Sequence, residues 1–174
     1  MPLFLIRHAH AIALQDDAKR TLSDRGRAQV RLLAGFFRRN GLFAPAFVWH
    51  SPLVRARETA ELFLIGLGSE IALVETSGLL PEDDPIAMAN RLNAITSAVN
   101  IALVGHEPHL SALASLLVRG KHEPALFDFK KGSFLALERT EDSHKKTGAA
   151  RWRACWHITP ELVTERFAPP EPNL

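Results

Sequence analysis

Tyrosine is absent from this sequence of 174 residues, and cysteine occurs once. A disulfide needs two cysteines, so Cys155 excludes an intramolecular bridge, and it also excludes a cysteine-rich metal centre. No apolar run approaches the length of a membrane span, and the apolar stretch at residues 3–6 is too short for the core of a signal peptide. We therefore expect a cytoplasmic protein without a membrane partner.

A large net charge is missing as well. The formal net charge is only +2, but residues 1–60 carry 10 Lys and Arg against 4 Asp and Glu, whereas residues 61–174 carry 11 against 15. Nucleic-acid surfaces combine basic patches with interleaved aromatic residues, and that pattern does not occur here. We expect no nucleic-acid partner. The spacing instead predicts that several arginines form the solvated face of one helix, namely Arg25, Arg27, Arg31, Arg38 and Arg39.

Strand and helix patterns alternate over residues 1–120. Strands are predicted at 3–6, 47–49, 71–74 and 101–104, and the helices between and after them begin near Ser23, Leu53, Ile86 and Leu110. This alternation predicts a three-layer α/β/α sandwich whose mixed sheet is mainly parallel. Two later strands are predicted at 127–138 and 152–157, joined by a polar turn at 141–148. Residues 1–160 are predicted to form one domain, and 161–174 a loosely held Pro-rich tail.

Polar side chains follow three of the predicted strands. Arg7 and His8 follow the first strand, Ser51 and Arg55 follow the second, and His106 follows the fourth. Ligands in open α/β sheets bind outside the carboxyl ends of the strands, so we expect these side chains to converge. Arginines and histidines near a helix N-terminus suit a compact dianion, and phosphate fits best.

Several motifs together carry a resemblance to a known family. They are Arg7-His8, residues 22–26, residues 51–60, Val104-Gly105-His106-Glu107-Pro108 and residues 129–132. In order and spacing, over roughly residues 3–160, the chain resembles the histidine phosphatase (phosphoglycerate mutase-like) superfamily. Within it, the chain is similar to the small phosphohistidine phosphatases of the SixA type. The resemblance implies a phosphoglycerate mutase-like fold.

The resemblance also implies roles for particular residues. His8 would be the nucleophile that forms a phosphohistidine intermediate, and Arg7, Arg55 and His106 would bind the phosphoryl oxygens. Two fixed guanidinium groups would neutralise charge on the transferring group, and they would disfavour protonation of the nucleophile. Since the arginines supply this electrostatic stabilisation, we expect neither a metal nor another cofactor.

Three features depart from the superfamily pattern. Ala9 replaces the usual glycine after the nucleophile, and Leu14 and Gln15 occupy the region where the mutases have an asparagine. The general acid is the third. Glu82 is our candidate, from its position in the loop after the third strand, with Asp83 and Asp84 beside it. A phosphoramidate releases imidazole, which depends less on an acid than an alkoxide does.

Other interpretations of these residues remain open. A histidine such as His8, taken alone, is more often a satisfied structural residue than a nucleophile. The spacings His8-x-His10 and His106-x-x-His109 suit metal ligands, but no acidic ligands accompany them. Residues 130 and 131, both lysine, form either a solvated charge pair or part of the substrate surroundings.

The leading hypothesis is a phosphatase that removes phosphate from phosphohistidine on a protein partner, such as a phosphotransfer domain in signal transduction. Few residues are available for insertions that would build a deep lid, so an open pocket is expected. The first alternative is a general phosphatase for small phosphomonoesters, which would need a working acid at Glu82 or nearby. The second is a phosphate-binding regulatory module without turnover.

Overall fold

The computed structural model describes residues 2–95, 99–143 and 150–167. In these ranges the strands are β1 Pro2–Arg7, β2 Phe47–His50, β3 Leu73–Glu75, β4 Ile101–Gly105, β5 Phe134–Ser143 and β6 Ala150–Ile158. The helices are α1 Asp24–Asn40, α2 Val54–Leu67, α3 Pro85–Asn93, α4 His109–Arg119 and α5 Pro160–Phe167, and a short 3₁₀ turn lies at Asp17–Lys19. Across the described ranges, no helix combines the length and apolar character required to cross a membrane.

All six of these strands form one sheet in the order β3-β2-β4-β1-β5-β6. The neighbours from β3 to β1 are parallel, whereas β5 is antiparallel to both β1 and β6. Helical crossovers connect the parallel strands, as such connections require. The predicted mixed, mainly parallel sheet of a phosphoglycerate mutase-like fold is confirmed.

Alternate residues of each central strand enter two separate cores. Phe4 and Ile6 of β1 pack in a cluster with side chains of α1, α2 and α5. Leu3 and Leu5 pack in a second cluster with side chains of α3 and α4. Since successive strand residues point to opposite faces of a sheet, this alternation requires a helical layer on both sides. The three-layer arrangement is confirmed.

Helix α1 begins and ends where the sequence predicts. The Ser23 hydroxyl oxygen accepts a hydrogen bond from the backbone N–H of Gly26, and Gly41 closes the helix in the left-handed conformation with φ 62°. These are common capping interactions at the N-terminus and the C-terminus of a helix, respectively. Helix α2 includes Gly66 and ends before Gly68, whose φ of 68° is left-handed.

The first of the two later strands starts further along the chain than predicted. Residues 127–133 are not part of it, and β5 begins at Phe134. The reason is a turn in which the backbone N–H of Ser133 donates to the carbonyl oxygen of Lys130, with Gly132 at φ 82°. The side chain apolarity of this segment suited a strand, but the glycine imposes a turn. Residues 144–148 of the predicted polar turn lie outside the described residues.

The predicted tail from residue 161 is wrong in its first part. Pro160–Phe167 form α5, which packs against α1, and Val163 is only 1 % exposed. Proline suits the first position of a helix because that position needs no N–H donor. Val163 therefore belongs to the packed core, and residues 168–174 lie outside the described residues.

The N-terminus of α1 packs directly on the backbone near the strand end of β1, which makes Gly26 intolerant of a side chain. A Cβ atom at Gly26 would lie 2.0 Å from the carbonyl oxygen of His10. We expect Gly26→Ala to lower the free energy of unfolding by about 1–3 kcal/mol, as overpacking does. The measurement is urea unfolding.

Gly35 in the same helix provides the matched control. A Cβ atom there would be 3.5 Å from its nearest neighbour, the Nη1 atom of Arg39. Gly35→Ala should therefore gain up to about 1 kcal/mol of stability from helix propensity. Equal stabilities of the two variants would contradict the close packing at Gly26.

Candidate active site

The register of the sheet brings three strand ends side by side. Arg7 of β1 pairs with Gly105 of β4, and His50 of β2 pairs with Val104. The pairing continues one residue further, because the backbone N–H of His8 donates to the carbonyl oxygen of Gly105 at 3.0 Å. The polar residues that follow these strands therefore enter one crevice at the carboxyl edge of the sheet.

His8 is held in one tautomer. Its Nδ1 atom lies 2.7 Å from the carbonyl oxygen of Ala9. A carbonyl oxygen only accepts hydrogen bonds, so Nδ1 carries the proton and Nε2 keeps its lone pair. The Nε–H of Arg55 donates to this Nε2 atom at 3.3 Å. The imidazole thus presents an unprotonated Nε2, whose lone pair is directed at a cation.

The surroundings of His8 also keep its ring uncharged. Burial, together with the neighbouring His106, Arg55 and Arg7, lowers the pKa of His8 to about 3, although the hydrogen bond to the Ala9 carbonyl raises it. Desolvation penalises the imidazolium form, and nearby cations repel it. His8 is therefore neutral near pH 7, the state that a nucleophilic imidazole needs.

Arg55 is anchored on the side away from His8. Its Nη1 donates to the backbone carbonyl oxygen of Asp17 at 2.8 Å, and its Nη2 donates to the Asp17 carboxylate at 2.9 Å. The Arg55 side chain is 5 % exposed, whereas that of Asp17 is 59 % exposed. These bonds fix the plane of the guanidinium, and its remaining N–H groups stay available to an anion.

Asp17 is a residue of the site that sequence reasoning missed. Its carboxylate also accepts a hydrogen bond from Arg20 at 2.9 Å, and Arg20 and Arg55 hold the pKa of Asp17 below its usual range. The residue was placed in a loop without periodicity, at 11–22, which is where the 3₁₀ turn lies. The only sequence signal was a pair of aspartates followed by Arg20 in that loop.

Arg7 contributes a second guanidinium to the crevice. One of its Nη atoms donates to the carbonyl oxygen of Phe129, and its Nε is buried without a hydrogen-bond partner among the described residues. Burial lowers the pKa of Arg7, while Glu107 and Asp128 raise it. An arginine keeps its charge in proteins, so a buried donor is left for an anionic ligand.

His106 lies against the ring of His8, with the ring centroids 4.9 Å apart. Its Nε2 is hydrogen-bonded to the Ser51 hydroxyl at 2.8 Å, and its Nδ1 is buried with no partner in the described part of the chain. Burial and the nearby Arg55 together lower the pKa of His106 to about 3. The unpartnered Nδ1 can therefore meet a phosphoryl oxygen from a neutral ring.

Thr59 is a second residue that sequence reasoning missed, although it lies inside the motif at 51–60. Its hydroxyl donates to the carbonyl oxygen of Arg55 at 2.6 Å and accepts the backbone N–H of Ala9 at 3.1 Å. Thr59 is 2 % exposed. One side chain therefore joins the helix that carries Arg55 to the loop that carries His8.

The proposed acid, Glu82, lies in the turn before α3 and is exposed. Within residues 2–95, 99–143 and 150–167, no hydrogen bond or ion pair connects it to the crevice, and its assignment stays a prediction.

The histidines with the spacing of metal ligands have different surroundings. The Nδ1 of His10 is hydrogen-bonded to the Ser23 hydroxyl at 2.7 Å. His109 is buried in α4. In the described residues, no group of His, Cys, Asp and Glu side chains is large enough to hold a metal ion.

The arrangement can accept a tetrahedral anion next to a neutral imidazole. The Nε of Arg7 is buried without a partner among the described residues, and Arg55, from the helix after the neighbouring strand, lies against the Nε2 of His8. Buried polar atoms without partners are costly, so their presence in a crevice indicates a ligand that would satisfy them.

Comparisons with known proteins agree with this geometry. Residues 3–79 match the family model of the histidine phosphatase superfamily (branch 1). No curated protein sequence matches the chain significantly. The superfamily resemblance derived from the motifs is confirmed, and residues 7–8 and 51–60 lie inside the matched range.

Solved structures share the fold over most of the chain. A protein histidine phosphatase SixA complexed with tungstate superposes with a TM-score of 0.80 at 22% identity, covering 94% of this chain and 99% of that one. The alpha-ribazole phosphatase of Shigella flexneri has a TM-score of 0.67 at 20% identity, covering 88% and 95%. A mycobacterial glucosyl-3-phosphoglycerate phosphatase has a TM-score of 0.63 at 17% identity, covering 88% and 96%. At such identities the likeness shows a common fold.

The low pKa values of about 3 for His8 and His106 predict a loss of stability in mild acid. In the unfolded chain a histidine titrates near pH 6.5, so below that pH the unfolded state binds protons that the folded state excludes. Stability therefore falls as the pH drops from about 6.5 towards 3. From pH 7 to 5, each buried histidine accounts for about 2 kcal/mol.

We expect His8→Gln to lose about 2 kcal/mol less than the wild type over this interval. The measurement is urea unfolding at pH 7 and pH 5 in a phosphate-free buffer. His122→Gln is the matched control, since His122 is exposed. Equal losses in the wild type and His8→Gln would show that His8 is not buried in its neutral form.

Proposed function

We propose that the protein is a phosphatase that hydrolyses phosphohistidine on a partner protein, through a phosphohistidine intermediate on His8. The observation that carries this proposal is the state of His8. Its Nδ1–H is bound to the Ala9 carbonyl, its pKa is about 3, and its Nε2 lone pair lies beside Arg55. A neutral, oriented imidazole among cations is suited to attack phosphorus.

Substrate binding uses the donors that have no other partner. Phosphoryl oxygens accept hydrogen bonds from Arg7, from the free N–H groups of Arg55 and from His106. Because these cations and dipoles are fixed before the substrate arrives, they stabilise the charge that spreads over the equatorial oxygens during transfer. Asp17 keeps Arg55 in place while this occurs.

In the first chemical step the Nε2 lone pair of His8 forms a bond to phosphorus, and the phosphorus–nitrogen bond of the substrate breaks. The leaving imidazole takes the electron pair and departs neutral when its other nitrogen is already protonated. The Nε–H of Arg55 can no longer donate to Nε2 once that atom is phosphorylated, so it donates to a phosphoryl oxygen. In the second step water attacks phosphorus, the bond to Nε2 breaks, and inorganic phosphate is released.

The acid–base properties of the crevice favour a phosphoramidate over an ester. An alkoxide leaving group requires a proton from a general acid during bond breaking, whereas an imidazole that already carries a proton on its other nitrogen depends on such an acid much less. The carboxylate bound in the crevice, Asp17, has its pKa lowered by Arg20 and Arg55 and is therefore a poor proton donor. The SixA structure complexed with tungstate, a tetrahedral oxyanion, supports binding of a phosphoryl group by this fold.

The second candidate is a phosphatase for small phosphomonoesters. The fold is shared with an alpha-ribazole phosphatase and a glucosyl-3-phosphoglycerate phosphatase, which favours this alternative. It would require a proton donor, for which Glu82 remains our candidate. A non-catalytic phosphate-binding module is the third possibility, and it would bind phosphate without turnover.

A paired assay distinguishes the three. Purified wild-type protein is given a phosphohistidine peptide and an aryl phosphomonoester, and released phosphate is measured. We expect faster release from the peptide, and a loss of about 10³-fold or more in His8→Ala because no other group can carry the phosphoryl intermediate. His122→Ala is the control. Faster turnover of the ester would favour the general phosphatase, and bound phosphate without any turnover would favour the module.

Glu82→Gln tests the acid assignment in the same assay. The amide cannot donate the carboxyl proton, so ester hydrolysis should fall by about 10²-fold. Phosphohistidine hydrolysis should fall much less, because its leaving group does not depend on the acid. Unchanged ester hydrolysis would show that Glu82 is not the acid.

A further inference from the structure

Two cations beside the crevice are not used by the chemistry described above. Lys131 is partly buried, and Arg25 is exposed in the first turn of α1. In the parts of the chain that the structure describes, neither makes an ion pair with a carboxylate. The neighbouring Lys130 differs, because it is paired with Asp128 at 3.3 Å.

The backbone fixes Lys131 next to the nucleophile. The N–H of Gly132 donates to the carbonyl oxygens of both Arg7 and His8, at 3.2 and 3.1 Å, and the N–H of Arg7 donates to the carbonyl oxygen of Ser133 at 3.0 Å. The residue after Lys131 is therefore tied to the end of β1. Lys131 is a fixed part of the crevice opening rather than a lysine on a free loop.

The pKa shifts of two residues indicate that these cations lie in one neighbourhood around the end of β1. Burial lowers the pKa of Lys131, and Arg7, Arg20, Arg25 and Arg55 lower it further. Burial also lowers the pKa of His10, and Lys131, Arg25 and Arg20 add to that effect. We call Arg20, Arg25 and Lys131 the cationic rim.

The position of Arg25 is unfavourable for the helix itself. The N-terminus of a helix carries a partial positive charge, so an arginine in the first turn is repelled. The solvated-face interpretation explains why Arg25 is exposed, but not why it stands in the first turn beside other cations. An anionic ligand at the rim would offset this cost.

The cationic rim carries positive charge that a bound phosphoryl group does not balance. Asp17 is shared between Arg20 and Arg55. A phosphoryl dianion together with Asp17 compensates Arg7, Arg55 and Arg20. Glu107 and Asp128 also act on Arg7, but in the described residues no carboxylate forms an ion pair with Arg25 or Lys131. A substrate that carries further anionic groups next to its phosphoryl group therefore fits better.

We propose that the cationic rim selects phosphohistidine in an acidic protein segment, with Arg25 and Lys131 contacting carboxylates that flank the phosphorylated residue. This inference rests on the proposed function and names its substrate class. A nucleic acid is a poorer fit, because stacking side chains would be expected around such a surface. The carboxylates supply both attraction and orientation at the crevice.

The test uses two peptides with a central phosphohistidine, flanked by glutamates in one and by isosteric glutamines in the other. For the wild type we expect kcat/KM to be about fivefold or more higher for the glutamate peptide, from two exposed ion pairs. The preference should shrink in about 0.5 M NaCl, which screens such pairs. Equal kcat/KM values would overturn the rim proposal and leave the phosphatase proposal standing.

Lys131→Ala should remove most of the preference, because one of the two ion pairs is lost, and Arg25→Glu should reverse it. A glutamate in the first turn of α1 suits the helix dipole, so unfolding would not explain that loss. Arg38→Glu is the matched control, because it makes the same charge change on the same helix about 20 Å away. A preference that survives Arg25→Glu, or that Arg38→Glu also removes, would overturn the proposal.

If neither peptide is hydrolysed, the phosphatase proposal is contradicted, but the rim proposal is not. A binding measurement then tests the rim. Fluorescence anisotropy reports binding of the unphosphorylated peptides with inorganic phosphate present to fill the crevice. Tighter binding of the glutamate peptide, lost in Arg25→Glu, supports the rim. Equal binding of both peptides, or stronger competition by a single-stranded oligonucleotide than by the glutamate peptide, overturns it.

Discussion

The hydrogen bond from His8 Nδ1 to the Ala9 carbonyl oxygen is the constraint on which the crevice depends. It fixes the tautomer, and the tautomer decides which nitrogen has a lone pair to offer. The backbone at Ala9 is itself held by Thr59, and the adjacent backbone at His10 is packed against Gly26. A nucleophile that must be neutral and oriented thus depends on contacts from two helices, and loosening either helix would release the ring.

Charge in this region is arranged for a ligand rather than for the empty protein. Cations surround His8 and His106, and burial works in the same direction by disfavouring the protonated rings. Asp17 is the carboxylate that offsets part of this charge, and it does so from an exposed position. Concentrated like charge costs stability, and functional sites often carry such a cost. An anion that enters the crevice relieves repulsion and gains hydrogen bonds at once.

The fold allows this arrangement because the packed cores and the functional side chains lie in separate parts of the molecule. The two apolar clusters on either face of the sheet hold the strand ends in register. The functional side chains come from the loops and helix starts that follow those ends, which is where α/β proteins commonly place ligands. Helix α5 closes one of the clusters through Val163, and an apparent tail therefore belongs to the scaffold.

Local sequence determined the central strands, the caps of α1 and the placement of Arg7, His8, Arg55 and His106 at strand or helix ends. Strand alternation, helix periodicity and capping act between near neighbours, so they can be recognised without the fold. Only the tertiary structure decided that Asp17 holds Arg55 and that Thr59 holds Ala9. These partners are 38 and 50 residues apart, and no local pattern marks such pairs. A hydrogen bond forms only where the packed fold brings donor and acceptor within about 3 Å.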